Sequence, residues 1–337
     1  MDPFVLILLV ILFAVFFDVS NGWNDAANAI ATVVSTRVLS PGRAVVFGAV
    51  LNFIGALFSS EVARTVGQDI ADPSKLTPLT FLAATVVAPI WIGICTLKGL
   101  PISCSHSLMG GLVGAVLATA SWQSLNPHGI GKIVFGIFTS PVIGFVLGFV
   151  LIHVVVWSCR NLRPRTVTSV FGRLQLLSAG AMAFSHGTGD AQKAMGIVTG
   201  CLIAYYGSAG YTNADGRMTI PLWVRLLCAF AMFLGTAWGG YRVIKTLGGK
   251  LADLKPHHGF AAETAGATTI LVNTLTGIPI STTHSITGAV LGVGSAEGVK
   301  SVKWKVGGKI MFAWLVTFPV CIGGAALLYR VLVRLGL

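Results

Sequence analysis

The chain has 337 residues, of which 54% are hydrophobic and only 10% charged, against about a quarter charged in a soluble domain. That balance excludes a soluble globular protein. The formal net charge of +12 does not indicate nucleic acid, because the basic residues stand singly or in short clusters between apolar runs, as in loops of a polytopic membrane protein.

In chain order, the apolar blocks of the first half run over about 4–36, 41–60, 76–97, 103–121 and 131–157. Those of the second run over about 171–206, 219–246, 259–276, 281–297 and 307–329. A bilayer core of roughly 30 Å takes about 20 helical residues. Blocks 4–36 and 171–206 exceed one span and carry polar residues in their middles, so each is expected to be a span followed by a broken or re-entrant helix. The expected fold is an all-α integral membrane bundle of ten to twelve segments. Residues 1–157 form an N-terminal repeat, 158–170 a basic linker with Arg160, Arg163 and Arg165, and 171–337 a C-terminal repeat. The start Met1-Asp2-Pro3 lacks a basic n-region, so the first block reads as a retained helix. The six cysteines lie mostly in apolar runs without a Cys-x-x-Cys pair and read as packing residues.

With alternating crossings, fifteen Lys and Arg collect on the side of the 158–170 linker and six on the other. The positive-inside rule makes the first side cytoplasmic and places both termini outside a cell membrane. An odd number of crossings per half inserts the halves in opposite senses, an architecture that recurs in secondary transporters.

The duplication is visible in the residues. Residues 96–114 and 274–292 are identical at ten of nineteen positions, including Pro101-Ile102-Ser103 with Pro279-Ile280-Ser281 and His106-Ser107 with His284-Ser285. Ser20-x-Gly22-x-x-Asp25-Ala26 recurs as Ser185-x-Gly187-x-x-Asp190-Ala191. Two matches in the same order indicate an inverted-topology repeat.

Asn21, Asn24, Asp25, Asn28 and Thr32 share one helical face. A carboxylate among carboxamides in an apolar segment is expensive unless it meets a cavity, a partner or an ion. Such oxygen ligands suit Na⁺, and a buried Asp can instead carry a proton; a polar seam between helices is the plainer alternative. The second half presents His186, Asp190 and Lys193, where a structural Asp190–Lys193 pair is the alternative. Each Pro-Ile-Ser turn offers a pre-organised helix start, capping hydroxyls and free backbone N–H groups. Two such turns from oppositely inserted halves can face each other and hold a tetrahedral oxyanion; plain helix capping is the alternative. His106 and His284 lack the companions of a zinc site and read as hydrogen-bonding groups at the turns. Glu263 has no acidic counterpart in the other half and reads as a gating or proton group, or as one end of a salt bridge.

At these residues the chain resembles the inorganic phosphate transporter (PiT) family, bacterial branch. That family has duplicated Gly-x-Asn-Asp-x-x-Asn-Ala and Pro-x-Ser-x-x-His motifs. Gly22-Trp23-Asn24-Asp25-Ala26-Ala27-Asn28-Ala29 matches the first fully. Its second copy departs at Gly189 and Lys193, which puts a symmetric pair of cation sites in question. The resemblance implies a secondary transporter, not an enzyme, taking up phosphate with Na⁺ or H⁺ and needing no other cofactor. It assigns Ser103, Ser105, Ser281, Thr282 and Thr283 to phosphate. Asn24, Asp25, Asn28 and Asp190 go to cation coupling, with Asp25, Asn28 and Asp190 as the Na⁺ ligands if sodium is used. Asn21, His106, Gln192, Lys193, Glu263 and His284 are auxiliary candidates. A sulfate permease of the same fold, an uncoupled anion channel and a membrane phosphoryl enzyme are the competing readings. The partners are phosphate and the lipid bilayer, with no nucleic acid; a homodimer is left open.

Overall fold

A computed structural model describes residues 2–336. Twelve α-helices and no sheet make up the described residues. They are α1 (Pro3–Ser35), α2 (Pro41–Ala56), α3 (Glu61–Arg64), α4 (Pro78–Leu97), α5 (Cys104–Ala120) and α6 (Pro127–Cys159), followed by α7 (Pro164–Tyr206), α8 (Leu222–Trp238), α9 (Tyr241–Gly249), α10 (Pro256–Leu275), α11 (Thr282–Ala296) and α12 (Trp304–Arg334). The second six repeat the first six in order, type and approximate length. Proline opens α1, α2, α4, α6, α7 and α10, where its missing N–H costs no helical bond.

Five helices (α1, α4, α6, α7, α12) are long and apolar enough to cross a bilayer, and two bent pairs raise the count to seven. The bent pairs are α2 with Glu61–Asp69, turning by 67°, and α8 with α9, turning by 72°. The α8–α9 break falls at Gly239-Gly240. Gly239 has φ +69°, and a Cβ on Gly240 would lie 2.2 Å from the Trp23 carbonyl oxygen. In the first half, a wide π turn over Thr65–Asp69 continues α3.

Three expectations change here. The long blocks 4–36 and 171–206 are unbroken helices, α1 and α7, because their mid-helix polar groups bond sideways to other segments and leave the backbone ladder intact. The linker 158–170 shrinks to residues 160–163, since α6 runs on to Cys159 and α7 starts at Pro164. Blocks 76–97 and 103–121 are the arms of a hairpin, α4–α5, and 259–276 and 281–297 those of its counterpart, α10–α11. Each hairpin turns through a glycine at φ +69°, Gly99 or Gly277, just before Pro101 or Pro279. A left-handed residue closing the last helical turn, then proline, is an efficient helix stop.

The hairpins open to opposite ends of the molecule. α6 starts beside the base of the first, where Asn126 N donates to Ile70 O (2.9 Å). It passes the tip of the second at Gly136, against Pro279 and Ile280, and continues beside α11 to Gly148, against Ala289. α12 does the reverse. Lys303 N donates to Leu251 O at the base of the second hairpin (3.0 Å), and Trp314 Nε1 reaches Pro101 O at the tip of the first (3.2 Å). The tips touch each other, Ser105 Oγ donating to Ile280 O (3.0 Å) and Thr283 Oγ lying 2.9 Å from Ile102 O. Two complete crossings from opposite ends could not meet at their far turns, so the hairpins are re-entrant. Each half then has three crossings and one hairpin. The number stays odd, the termini share one end, and the inverted repeat stands.

The halves exchange partners. α5 packs on α12, α6 on α11, α1 on α8 and α2 on α7. Lipid tails are as apolar as a leucine side chain, so close packing rather than a hydrophobic drive joins such helices. Glycine permits the approach: a Cβ at Gly114 of α5 would sit 2.1 Å from Ile322 O, and one at its repeat mate Gly292 of α11 2.1 Å from Phe145 O. α1 shows the passage from lipid to protein along one helix. Phe4, Leu8, Leu12 and Phe16 are exposed, whereas residues 24–33 are buried throughout.

Candidate functional site

The polar middles of α1 and α7 meet the two hairpin tips in one enclosed cluster. Ser103 and Ser281 are the N-caps of α5 and α11, each Oγ accepting from a backbone N–H three residues on, that of His106 (3.1 Å) and of His284 (3.2 Å). Both helix N-termini therefore lie at the touching tips, bringing their partial positive charge to the same place. All five hydroxyl residues assigned to phosphate, Ser103, Ser105, Ser281, Thr282 and Thr283, are buried there.

The carboxylates of Asp25 and Asp190 face those hydroxyls. Thr283 Oγ is 3.1 Å from Asp25 Oδ1, and Thr282 Oγ is 3.3 Å from Asp25 Oδ2 and 3.4 Å from Asp190 Oδ2. Each hydroxyl carries one proton. Two protons are thus within reach of four acceptors: three carboxylate oxygens and Ile102 O. Asn28 adds its amide, with Nδ2 donating to Thr283 Oγ (3.0 Å) and Thr282 Oγ (3.3 Å), while its Oδ1 has no partner. Asn21 Oδ1 and Nδ2 are likewise buried without a partner. The cluster is rich in oxygen acceptors, which is the chemistry that suits a small hard cation or a proton.

Asp25, Asp190 and His186 each place a ligand atom within 4.8 Å of the others. His186 Nε2 lies 3.7 Å from Asp25 Oδ2 and 3.6 Å from Asp190 Oδ2. Its Nδ1 is 3.0 Å from Asn52 Oδ1, and Asn52 Nδ2 donates to Thr236 Oγ (2.9 Å). Asn52 thus orients the imidazole so that Nε2 faces both carboxylates. Lys193 is the one ammonium in the cluster. It is 1% exposed and binds Asp190 Oδ1 and Ser105 Oγ, the latter at 2.5 Å.

Other sequence candidates stand apart from this centre. Asn24 holds the first hairpin, its Nδ2 donating to Thr96 Oγ (2.8 Å) and Leu100 O (3.3 Å). Gln192 turns to the broken helix, its Oε1 accepting from Ala63 N (3.1 Å) and its Nε2 donating to Thr188 O (2.6 Å). The rings of His106 and His284 pack edge to face at 4.6 Å, and His284 lies on Trp314 at 3.7 Å. Their backbone N–H groups, not their imidazoles, serve the turns. Glu263 lies beyond Thr32, toward the α6–α7 end. There Thr32 Oγ (2.5 Å) and Gln175 Nε2 (3.0 Å) donate to Oε1, and Ser178 Oγ (2.5 Å) to Oε2. No ammonium or guanidinium pairs with it among the described residues.

Sequence reasoning missed two contributors. Asp18 is buried on α1 with both carboxylate oxygens unpartnered; its signal was the seven-residue step to Asp25, which keeps it on the polar face. Asn52 gave no signal, since a single Asn on an apolar helix does not show which partner it will meet.

The family model described as "Phosphate transporter family" matches the chain twice, over residues 21–164 and 158–325. A "Probable low-affinity inorganic phosphate transporter" of Rhizobium meliloti (strain 1021) is 44% identical over 327 residues, covering 97% of this chain and 96% of that protein. One of the same description from Bacillus subtilis (strain 168) is 40% identical, covering 97% of each. A solved structure described as "The sodium-dependent phosphate transporter" superposes with a TM-score of 0.87 at 27% identity, over 98% of this chain and 99% of that one. The chain belongs to the phosphate transporter family, a family of transporters and not of enzymes.

Proposed function

We propose that the protein takes up inorganic phosphate across the cell membrane by symport with Na⁺ or H⁺, alternating access about the point where the hairpin tips meet. The observation that carries this reading is the convergence of two buried helix N-termini and their hydroxyls on Asp25 and Asp190. A phosphate between the tips would take donors from Ser103, Ser105, Ser281, Thr282 and Thr283. The hydroxyls of Thr282 and Thr283 now face carboxylates at 3.1–3.4 Å, and an anion placed beside two buried carboxylates is repelled strongly at low dielectric. Cations or protons at Asp25, Asn28 and Asp190 remove that repulsion. Phosphate and cation then bind better together than either does alone, and that mutual dependence is what thermodynamic coupling requires.

Sodium is supported by the oxygen-rich donor set and by the structural neighbour, a sodium-dependent phosphate transporter. Glu263, with Thr32, Ser178 and Gln175, is a second station on the route toward the α6–α7 end. The halves, joined across 160–163, enclose the site between them. The excess of basic residues on the linker's side, which stands even with Lys98 set aside at the first hairpin tip, supports a cytoplasmic linker and both termini outside.

Phosphate uptake into proteoliposomes, with a Na⁺ or a pH gradient imposed separately, tests the reading. Accumulation above equilibrium under one gradient is expected. Downhill flux alone would make the protein an anion channel, and preferential accumulation of sulfate would make it a sulfate permease.

A further inference from the structure

The two repeats treat their carboxylates differently. In the first, Asn28 stands three residues after Asp25 and touches the hydroxyls of Thr282 and Thr283 on the second hairpin. In the second, Lys193 stands three residues after Asp190 and touches Ser105 on the first hairpin. Ser105 is the repeat mate of Thr283 in the aligned turns. The positions are therefore equivalent, and Ser105 and Thr283 are equivalent hydroxyls, while Thr282 has Cys104 as its mate. Between Asn28 and Lys193 the charge differs. Among the described residues no Lys or Arg pairs with Asp25, whose polar neighbours are Thr282, Thr283, His186 and the Asp190 carboxylate, while Asn28 Oδ1, on the same helix, is left without a partner. Asp190 has the Lys193 ammonium on Oδ1.

We propose that the Lys193 ammonium is a tethered substitute for a coupling cation, bridging Asp190 and Ser105 where an exchangeable ion would otherwise join carboxylate to hydroxyl. The inference rests on the symport reading above. It assigns the exchangeable cation to the Asp25 side, between Asp25 and Asn28 Oδ1, and reduces the number of ions moved per phosphate by one. The cost of burying a charge explains why the ammonium is held this way. An ion pair in a low-dielectric interior barely breaks even against desolvation, so Lys193 is a poor choice for mere packing on α7. At this place it supplies the one positive charge that Asp190 needs in every state of the transport cycle, whether or not an ion is bound.

The test is equilibrium phosphate binding to the purified protein in nanodiscs. Na⁺ is varied against choline, and proton uptake on binding is recorded in weak buffer. Together these give the monovalent cations taken up per phosphate bound. Lys193→Asn, which restores the residue of the first repeat, is expected to take up one more cation than wild type. The plot of log Kd against log cation concentration then steepens by one, so a tenfold rise in cation tightens phosphate a further tenfold. Lys193→Arg is expected to keep the wild-type slope. Should Lys193→Asn fail to insert, Lys193→Gln carries the same expectation. An unchanged slope in the carboxamide variant overturns the proposal. So does loss of phosphate binding at every Na⁺ concentration in that variant with binding retained in Lys193→Arg, which would make Lys193 a phosphate ligand. A wild type without any cation dependence would sink the symport reading, while the difference between variant and wild type would still judge Lys193.

Discussion

Asp25 and Asp190 occupy one repeat position with different neighbours, and the difference sets what each substitution should do. Asp25→Asn and Asp190→Asn keep the side-chain shape and remove the charge. Each is expected to abolish gradient-driven phosphate uptake while the protein still inserts; wild-type rates in a correctly inserted variant would show that the carboxylate is structural. Asp190→Asn also leaves the Lys193 ammonium buried without its counterion, so its folded yield should fall below that of Asp25→Asn. The turn hydroxyls have two roles. Ser103 and Ser281 cap their helices, and a lost cap costs about 1 kcal/mol. A lost hydrogen bond to a charged ligand costs roughly 1.5–3 kcal/mol. Ser103→Ala and Ser281→Ala are thus expected to weaken phosphate binding by about tenfold to a hundredfold, read by direct binding to purified protein. Unchanged affinity in both would reduce the turns to helix caps.

The broken helices and the re-entrant hairpins work as one set of elements. Thr65, at the end of α3, donates to Gly277 O at the tip of the second hairpin (2.7 Å). Thr246 of α9 donates to Gly99 O at the tip of the first (2.9 Å). A straight span could not turn toward the tip and reach the same carbonyl, which gives the 67° and 72° bends a structural purpose. The tips are not held equally. Asn24 ties the first to α1, whereas its repeat mate Gly189 lies against Thr274, the mate of Thr96, with no side chain to reach it. The packing glycines yield an element-level prediction. Gly114→Val places branched carbon against the Ile322 carbonyl, and overpacking of this kind costs about 1–3 kcal/mol or more. Its melting temperature in detergent should fall clearly below wild type. Gly131→Ala on α6, where a Cβ meets nothing within 4 Å, should be neutral or slightly stabilising. Equal melting of the two variants would show that the α5–α12 approach is not tight in solution.

For the whole molecule, the odd number of crossings per half is the governing property. It places the termini at one end and the 160–163 turn at the other, and it lets two copies of one motif approach a single site from opposite directions. A single cysteine at position 163, in a background without reactive native cysteines, is expected to resist an impermeant reagent in sealed cells and to label after permeabilisation. Labelling from outside would reverse the assignment of the ends.

The sequence by itself determined that the chain is a membrane protein, that it is duplicated in opposite senses, and that its chemistry lies in the Asp25 and Asp190 motifs and the two Pro-Ile-Ser turns. These are local properties: hydropathy over a window, identity at a fixed offset, and residues sharing a helical face. Only the tertiary structure decided that 76–121 and 259–297 turn back inside the protein, because apolar composition reports exclusion from water and is the same for a full crossing as for a hairpin arm buried in protein. It also decided which motif residues reach the centre. Gln192 and Asn24 have the spacing of ligands, yet Gln192 spends its amide on backbone and Asn24 its Nδ2 on the first hairpin, while the Asn52–His186 pair faces the carboxylates. Those outcomes depend on contacts between segments far apart in the chain, such as Asn28 with Thr283, 255 residues apart, or Lys193 with Ser105, 88 apart, across the exchanged halves. Helical periodicity names the face a side chain shares, and long-range packing alone supplies what that face meets.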